Sequence, residues 1–156
     1  MLNEKLKIGL DIDEVVADFC NHFFNYLGLD STPATDWDDE RFDLFDKIEK
    51  DMDFWMSIPA LYHQDEINFI PQCFVTSRPI SSKYSKEWLQ KAGFKNPVVF
   101  TVGLEGSKYQ YVKDLDLFVD DAPHNFKELS SKGCNVLLMD RPHNKHIFTP
   151  KRIYNL

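Results

Sequence analysis

The stretch Lys7 to Asp18, KIGLDIDEVVAD, decides the fold. Ile8, Leu10 and Ile12 alternate with small or polar residues and lie beside Val15 and Val16. The segment therefore reads as a short buried strand that ends at Asp11 and turns into a helix near Glu14. Asp11 and Asp13 then stand at the carboxyl end of a buried strand. In an open parallel sheet that end is where ligands bind, and the helix that follows offers free N–H groups to an anion. The two acids are one strand period apart, so a strand continuing through both would aim them the same way. Like charges side by side are costly unless a cation or a shared proton relieves them. The pair reads as a metal or proton-transfer site, or else as one helix cap and one solvated acid.

The same pattern recurs down the chain. Gln72 to Ser77 is an apolar run ending in Thr76, Ser77, Arg78 and Pro79, which brings two hydroxyls and a guanidinium to a strand end. They suit a phosphate, through hydroxyl hydrogen bonds and a forked donor, and the hydroxyls equally suit the cap of a helix over Ser81 to Ala92. Pro97 to Val102 is a third strand, followed by a glycine-bearing loop that delivers Lys108, either a phosphate contact or a solvated surface group. Leu115 to Val119 is a fourth strand and runs into Asp120 and Asp121. A helix from Ala122 to about Ser131 leads to a fifth strand, Asn135 to Met139. Asp140 to His146, DRPHNKH, reads as a surface loop despite its two histidines, and Phe148 to Leu156 carries too little signal to assign.

Strands alternating with helices predict an α/β fold: a doubly wound, parallel, five-stranded Rossmann-like sheet built from residues 1–18 and 71–156. Residues 19–70 interrupt it. After a helix over Val15 to Leu27, the block from Asp30 to Ile70 is rich in Asp and aromatic residues and has no convincing strand. It predicts short helices over Asp38 to Lys50, Asp51 to Ser57 and His63 to Phe69. A block this long between two strands is read as a small helical cap over the strand ends. Phe54 and Trp55 within it either pack the cap's own core or face a ligand.

At 156 residues the chain suffices for one domain with a substantial core. Lysine and arginine number 18 against 25 acids, a formal charge of −7, and no basic run is long enough to track a nucleic-acid polymer. No apolar run approaches membrane-spanning length, and MLNEKLK lacks the hydrophobic region of a signal peptide. With Cys20, Cys73 and Cys134 far apart in apolar contexts, the expectation is a cytoplasmic protein with reduced core cysteines and no membrane partner. The oligomeric state is open, a homodimer among the options.

Taken together, DIDEVVAD (Asp11 to Asp18), VTSRP (Val75 to Pro79), Lys108 and LFVDDAPHN (Leu117 to Asn125) resemble, in order, the motifs of the haloacid dehalogenase superfamily of phosphohydrolases. Lys83 and Lys86 are rivals for the lysine motif. A finer resemblance, carried by DIDEVVADF, by DFWMSIPAL (Asp53 to Leu61) and by DRPHN (Asp140 to Asn144), is to the 5'(3')-deoxyribonucleotidase group. Two departures stand out: Glu14 occupies a position where many members have glycine, and the segment from Phe19 to Pro71 is shorter than in the animal enzymes.

The resemblance implies a Mg²⁺-dependent phosphomonoesterase acting on small 5'-deoxyribonucleotides, pyrimidine ones by expectation. It implies Asp11 as nucleophile and Asp13 as acid and base. Mg²⁺ would be held by Asp11, the Asp13 backbone carbonyl and Asp121, with Asp120 supporting a bound water or acting from behind. Thr76, Ser77 and Lys108 would hold the phosphate, and Phe54, Trp55 and Arg78 the rest of the substrate. The alternatives are a phosphatase for another small phosphomonoester or a nucleic-acid terminal phosphate, and a metal- and phosphate-binding module without turnover.

Overall fold

The computed structural model describes residues 5–156. Six strands form one sheet, β1 (Ile8–Leu10), β2 (Cys73–Thr76), β3 (Val99–Thr101), β4 (Leu117–Asp120), β5 (Val136–Met139) and β6 (Arg152–Ile153). Every pairing is parallel, and the strand order is 3-2-1-4-5-6. Five strands are expected from the sequence and the sixth is the correction. β6 is two residues long, pairs Arg152 with Leu138 and Ile153 with Met139, and is too short to show a period in sequence.

The central strands are buried on both faces, as parallel strands must be, and so read as continuous apolar runs. Successive residues go to opposite sides. Phe74 and Val119 join one apolar cluster with Leu10, Trp88 and Leu89, while Val75 and Phe118 join another with Leu129, Val136 and Leu138. The helices α3 (Ser82–Lys91) and, past the short α4 (Tyr109–Val112), α5 (Pro123–Ser131) cover these two faces. Each ends at a glycine in the left-handed region, Gly93 (φ +86°) and Gly133 (φ +83°), where a Cβ would be strained. β1 needs Gly9 for space instead: a Cβ there would lie 2.5 Å from Leu115 Cδ1.

Between β1 and β2 lie α1 (Phe19–Tyr26), a 3-10 run (Glu40–Lys47), α2 (Met52–Ser57) and a 3-10 turn (Gln64–Glu66). The predicted helix over Asp38 to Lys50 is thus a shorter, tighter run, none of whose residues is fully buried. α2 begins where Asp51 accepts the Phe54 N–H at 3.2 Å. This insertion shares a core with the sheet: Phe23, Phe24, Phe54 and Trp55 belong to the same cluster as Leu10 and Phe74. The three cysteines are free and buried. Among the described residues no helix is long and apolar enough to cross a membrane.

Candidate functional site

The sheet order reverses between β1 and β4, and the crevice at the carboxyl ends of those strands is where ligands bind in such sheets. The chain leaving β1 does not enter a helix there. The Asp11 N–H still bonds to the Val119 carbonyl at 2.9 Å. The Ile12 carbonyl then accepts the N–H groups of Val15, Val16 and Ala17 at 3.3, 2.8 and 3.0 Å, closing a tight turn. Glu14 makes the turn by taking φ +61°, a conformation most side chains avoid. The expected helix over Val15 to Leu27 therefore starts only at Phe19, while Asp11 and Asp13 both line one cavity with different partners.

Asp11 points into an acidic centre. Its Oδ1 lies 2.9 Å from Lys108 Nζ and accepts the Ile12 N–H at 2.7 Å. Lys108 Nζ also donates to Asp120 Oδ2 at 2.7 Å, and the Lys108 side chain is 1% exposed. Lys108 is buried rather than solvated, while Lys83 and Lys86 are exposed on α3. Asp120 is held further by the Ala122 N–H (2.9 Å) and by Asn125 Nδ2, 3.3 and 3.2 Å from its two oxygens. One carboxylate oxygen from each of Asp11, Asp120 and Asp121 falls within 4.8 Å of the others.

Three buried carboxylates face one ammonium. Burial, then the neighbouring acids, push the Asp11 and Asp121 carboxyls well above their usual range, against the opposing pull of Lys108. Burial pulls the Lys108 ammonium down, and Asp11 with Asp120 more than offsets it, so the lysine stays charged. The remaining excess of negative charge suits a hard divalent cation with oxygen ligands. The residues present could hold such an ion on that ground: one lysine for three acids.

Asp13 lies apart from this triad. Its carboxylate accepts from Arg78 Nε at 2.9 and 3.2 Å and from Nη2 at 2.6 Å. The Arg78 guanidinium is buried, 5.4 Å from the ring centres of both Trp55 and Trp88, and its Nη1 has no partner among the described residues.

A cavity of about 310 Å³ opens over these groups. Asp11, Asp13, Thr76, Ser77, Arg78 and Asp121 line its polar end, and Phe19, Trp37, Phe42, Phe45 and Trp55 its apolar side. Thr76 is fully buried and its Oγ1 accepts the Arg78 N–H at 3.2 Å. Phe54 does not line the cavity. It stands behind Trp55, edge-on to Phe19, Phe23 and Tyr26.

The segment read as a surface loop proves to be part of this centre. His143 and Asn144 are 2% and 0% exposed, in a 3-10 turn (Pro142–Asn144). His143 Nε2 lies 2.7 Å from Asp121 Oδ2, and Arg141 Nε donates to the Glu14 carbonyl at 2.7 Å. Composition alone marks such a stretch as solvent-facing. Its signal was the pairing of Asn with His after a proline, which only the tertiary contacts explain. Asn125 was likewise visible only as part of a helix start. Glu14, Cys20 and His143 form a second group close enough for a metal, yet its donors are engaged. Glu14 Oε1 accepts the Cys20 N–H at 2.7 Å, His143 Nε2 faces Asp121, and burial holds the Cys20 thiol protonated.

No protein-family model matches the chain, and no curated protein matches it in sequence.

Proposed function

We propose that the chain is a Mg²⁺-dependent phosphomonoesterase of the haloacid dehalogenase type, acting on small nucleotides, with 5'-deoxyribonucleotides of pyrimidines foremost. The observation that carries this is the buried Asp11–Lys108–Asp120 chain, with Asp121 beside it, whose Asp11 and Asp121 line a cavity shared with the aromatic side chains of Phe19, Trp37, Phe42, Phe45 and Trp55. Both hydrogen bonds to Asp11 fall on Oδ1, which leaves Oδ2 as the attacking atom. A carboxylate needs no deprotonation before attack.

Asp11 Oδ2 forms a bond to phosphorus as the ester bond breaks, and Asp13 gives the leaving oxygen its proton. Asp13 then takes a proton from the water that cleaves the aspartyl-phosphate, which returns Asp11 and releases phosphate. Lys108 holds Asp11 in place and screens the phosphoryl oxygens, with Thr76 and Ser77 supplying hydroxyl donors. Asp11, Asp121 and the Asp13 carbonyl, with Asp120 supporting, would hold Mg²⁺, which would supply neutralisation of the approaching anion. Trp55 and its aromatic neighbours seat a planar ring and exclude water.

One observation favours a second reading, a binding module without turnover: Arg78 engages both oxygens of Asp13, the group that must carry the proton. Phosphate release from deoxy- and ribonucleoside monophosphates and sugar phosphates, with Mg²⁺ or chelator, separates the two. Metal-dependent release that prefers deoxynucleotides and vanishes in Asp11→Asn is the expected result. Release from every monoester alike removes the nucleotide pocket, and no release leaves the module.

A further inference from the structure

The Arg141 to Asn144 turn grips Asp121 by two handles. His143 Nε2 sits 2.7 Å from the carboxylate Oδ2, and Asn144 Nδ2 donates to the Asp121 carbonyl at 2.8 Å and to the Met139 carbonyl at 2.7 Å. The grip is itself fixed. Asn144 Oδ1 accepts the Arg141 N–H at 3.1 Å and Arg152 Nη1 at 2.7 Å, and Arg152 Nη2 donates to the Asn144 carbonyl at 2.9 Å. The His143 ring is walled by Trp37, with centroids 4.6 Å apart.

We infer that His143 is a positioning residue for a divalent cation at the acidic centre: by occupying Oδ2 of Asp121, it turns Oδ1 toward the ion. This rests on the metal reading proposed above. Asp121 follows directly on β4, and its side chain could otherwise swing about two torsions. Asn144 fixes its backbone and His143 its carboxylate, so the ligand is oriented before the ion arrives. A buried histidine packed for shape alone needs no aim at a single carboxylate oxygen. Removing such an outer partner of a ligand typically costs 10- to 100-fold in metal affinity.

Mg²⁺ affinity, measured by calorimetry on the intact chain, tests this without reference to turnover. His143→Ala is expected to weaken binding about 10- to 100-fold. His143→Gln, which keeps a donor nitrogen at similar reach, is expected to recover most of it. An Ala variant that folds and binds Mg²⁺ as the wild type does overturns the inference, and so does a Gln variant as weak as Ala. If the Ala variant fails to fold, the wild type decides: the His143 imidazole ¹⁵N resonances should shift with the calorimetric midpoint. Resonances indifferent to saturating Mg²⁺ overturn the inference while the metal reading stands. A wild type that binds no Mg²⁺ overturns the metal reading itself, and this assignment with it.

Discussion

The two walls of the cavity are built on opposite physical terms. The sheet-edge wall, which Asp11 and Asp121 line, is backed by a chain of short, directed contacts between buried charges, Asp11 to Lys108 to Asp120, with Asn125 and His143 tying down the acids. The insertion wall is a stack of rings: Phe19 lies against Phe23, Phe45, Phe54 and Trp55 at centroid distances of 5.8 to 6.4 Å. Burying charge costs free energy unless every partner is in place, so the first wall tolerates little change. Ring packing is shared among many neighbours, so the second absorbs substitution and loses only part of its stability. The contrast teaches that the two sides fail differently: a lost partner on the charged side leaves a buried charge unpaired, whereas a lost ring contact is shared out among many neighbours.

The sharpest break between them is Asp11→Asn. Phosphate release should fall by at least about 10³-fold, as when a nucleophile is removed. The melting temperature in chelator should not fall, because burial and neighbouring acids already disfavour that charge. Lys108→Met should do the reverse at the fold level, leaving two buried carboxylates uncompensated and costing about 3–5 kcal/mol in urea unfolding at neutral pH.

Stabilisation by Mg²⁺ should in turn grow with pH. Asp11 and Asp121 have folded-state pKa values above their unfolded ones, so between those values the folded protein holds extra protons that the ion must displace. The gain in melting temperature on adding Mg²⁺ is therefore smallest at acid pH and rises as pH climbs through the raised values. A gain that is flat with pH would place the ion elsewhere.

On the aromatic wall, effects should be smaller and should divide by facing. Trp55 lines the cavity and donates Nε1–H to the Glu49 carbonyl at 3.1 Å, so Trp55→Phe should raise KM several-fold and cost about 1–2 kcal/mol. Phe54→Leu should cost a similar amount of stability, about 1–2 kcal/mol, and leave KM unchanged. The smallest effect is at His22, whose Nε2 lies 3.2 Å from the Phe54 carbonyl and whose pKa burial lowers. Below the unfolded value of about 6.5 the unfolded chain takes the proton more readily. The stability of the wild type relative to His22→Gln should thus fall as pH drops from 7 to 5, read from urea midpoints.

Much of the fold was legible because apolar runs ending in acids or hydroxyls mark parallel strands and their carboxyl ends. Asp11, Thr76, Lys108, Asp120 and Asp121 could be placed at one edge on that basis. What escaped depends on distance in sequence or on conformation. Nothing local says that Glu14 takes a left-handed turn, since the residues that usually signal one are glycine and asparagine. The Arg78–Asp13 pair spans 65 positions, and the strand period that aimed Asp13 with Asp11 ended at Leu10. Phe54 and Trp55 are adjacent on α2 and so point to different sides, which their shared chemistry concealed. His143 looked solvated because its neighbours are charged. One of those neighbours, Arg141, turns inward, and Arg152 from β6 joins it in bolting the turn in place.

The Arg141 contact to the Glu14 carbonyl spans 127 positions. The acidic centre can therefore be completed only after the chain has been made as far as Arg141. On the ribosome β1 emerges more than a hundred residues before the turn that holds Asp121 and braces Glu14. Until then the carboxylates lack their last partners, so a nascent chain that stops short of Arg141 carries the chemical groups of the site without the means to aim them.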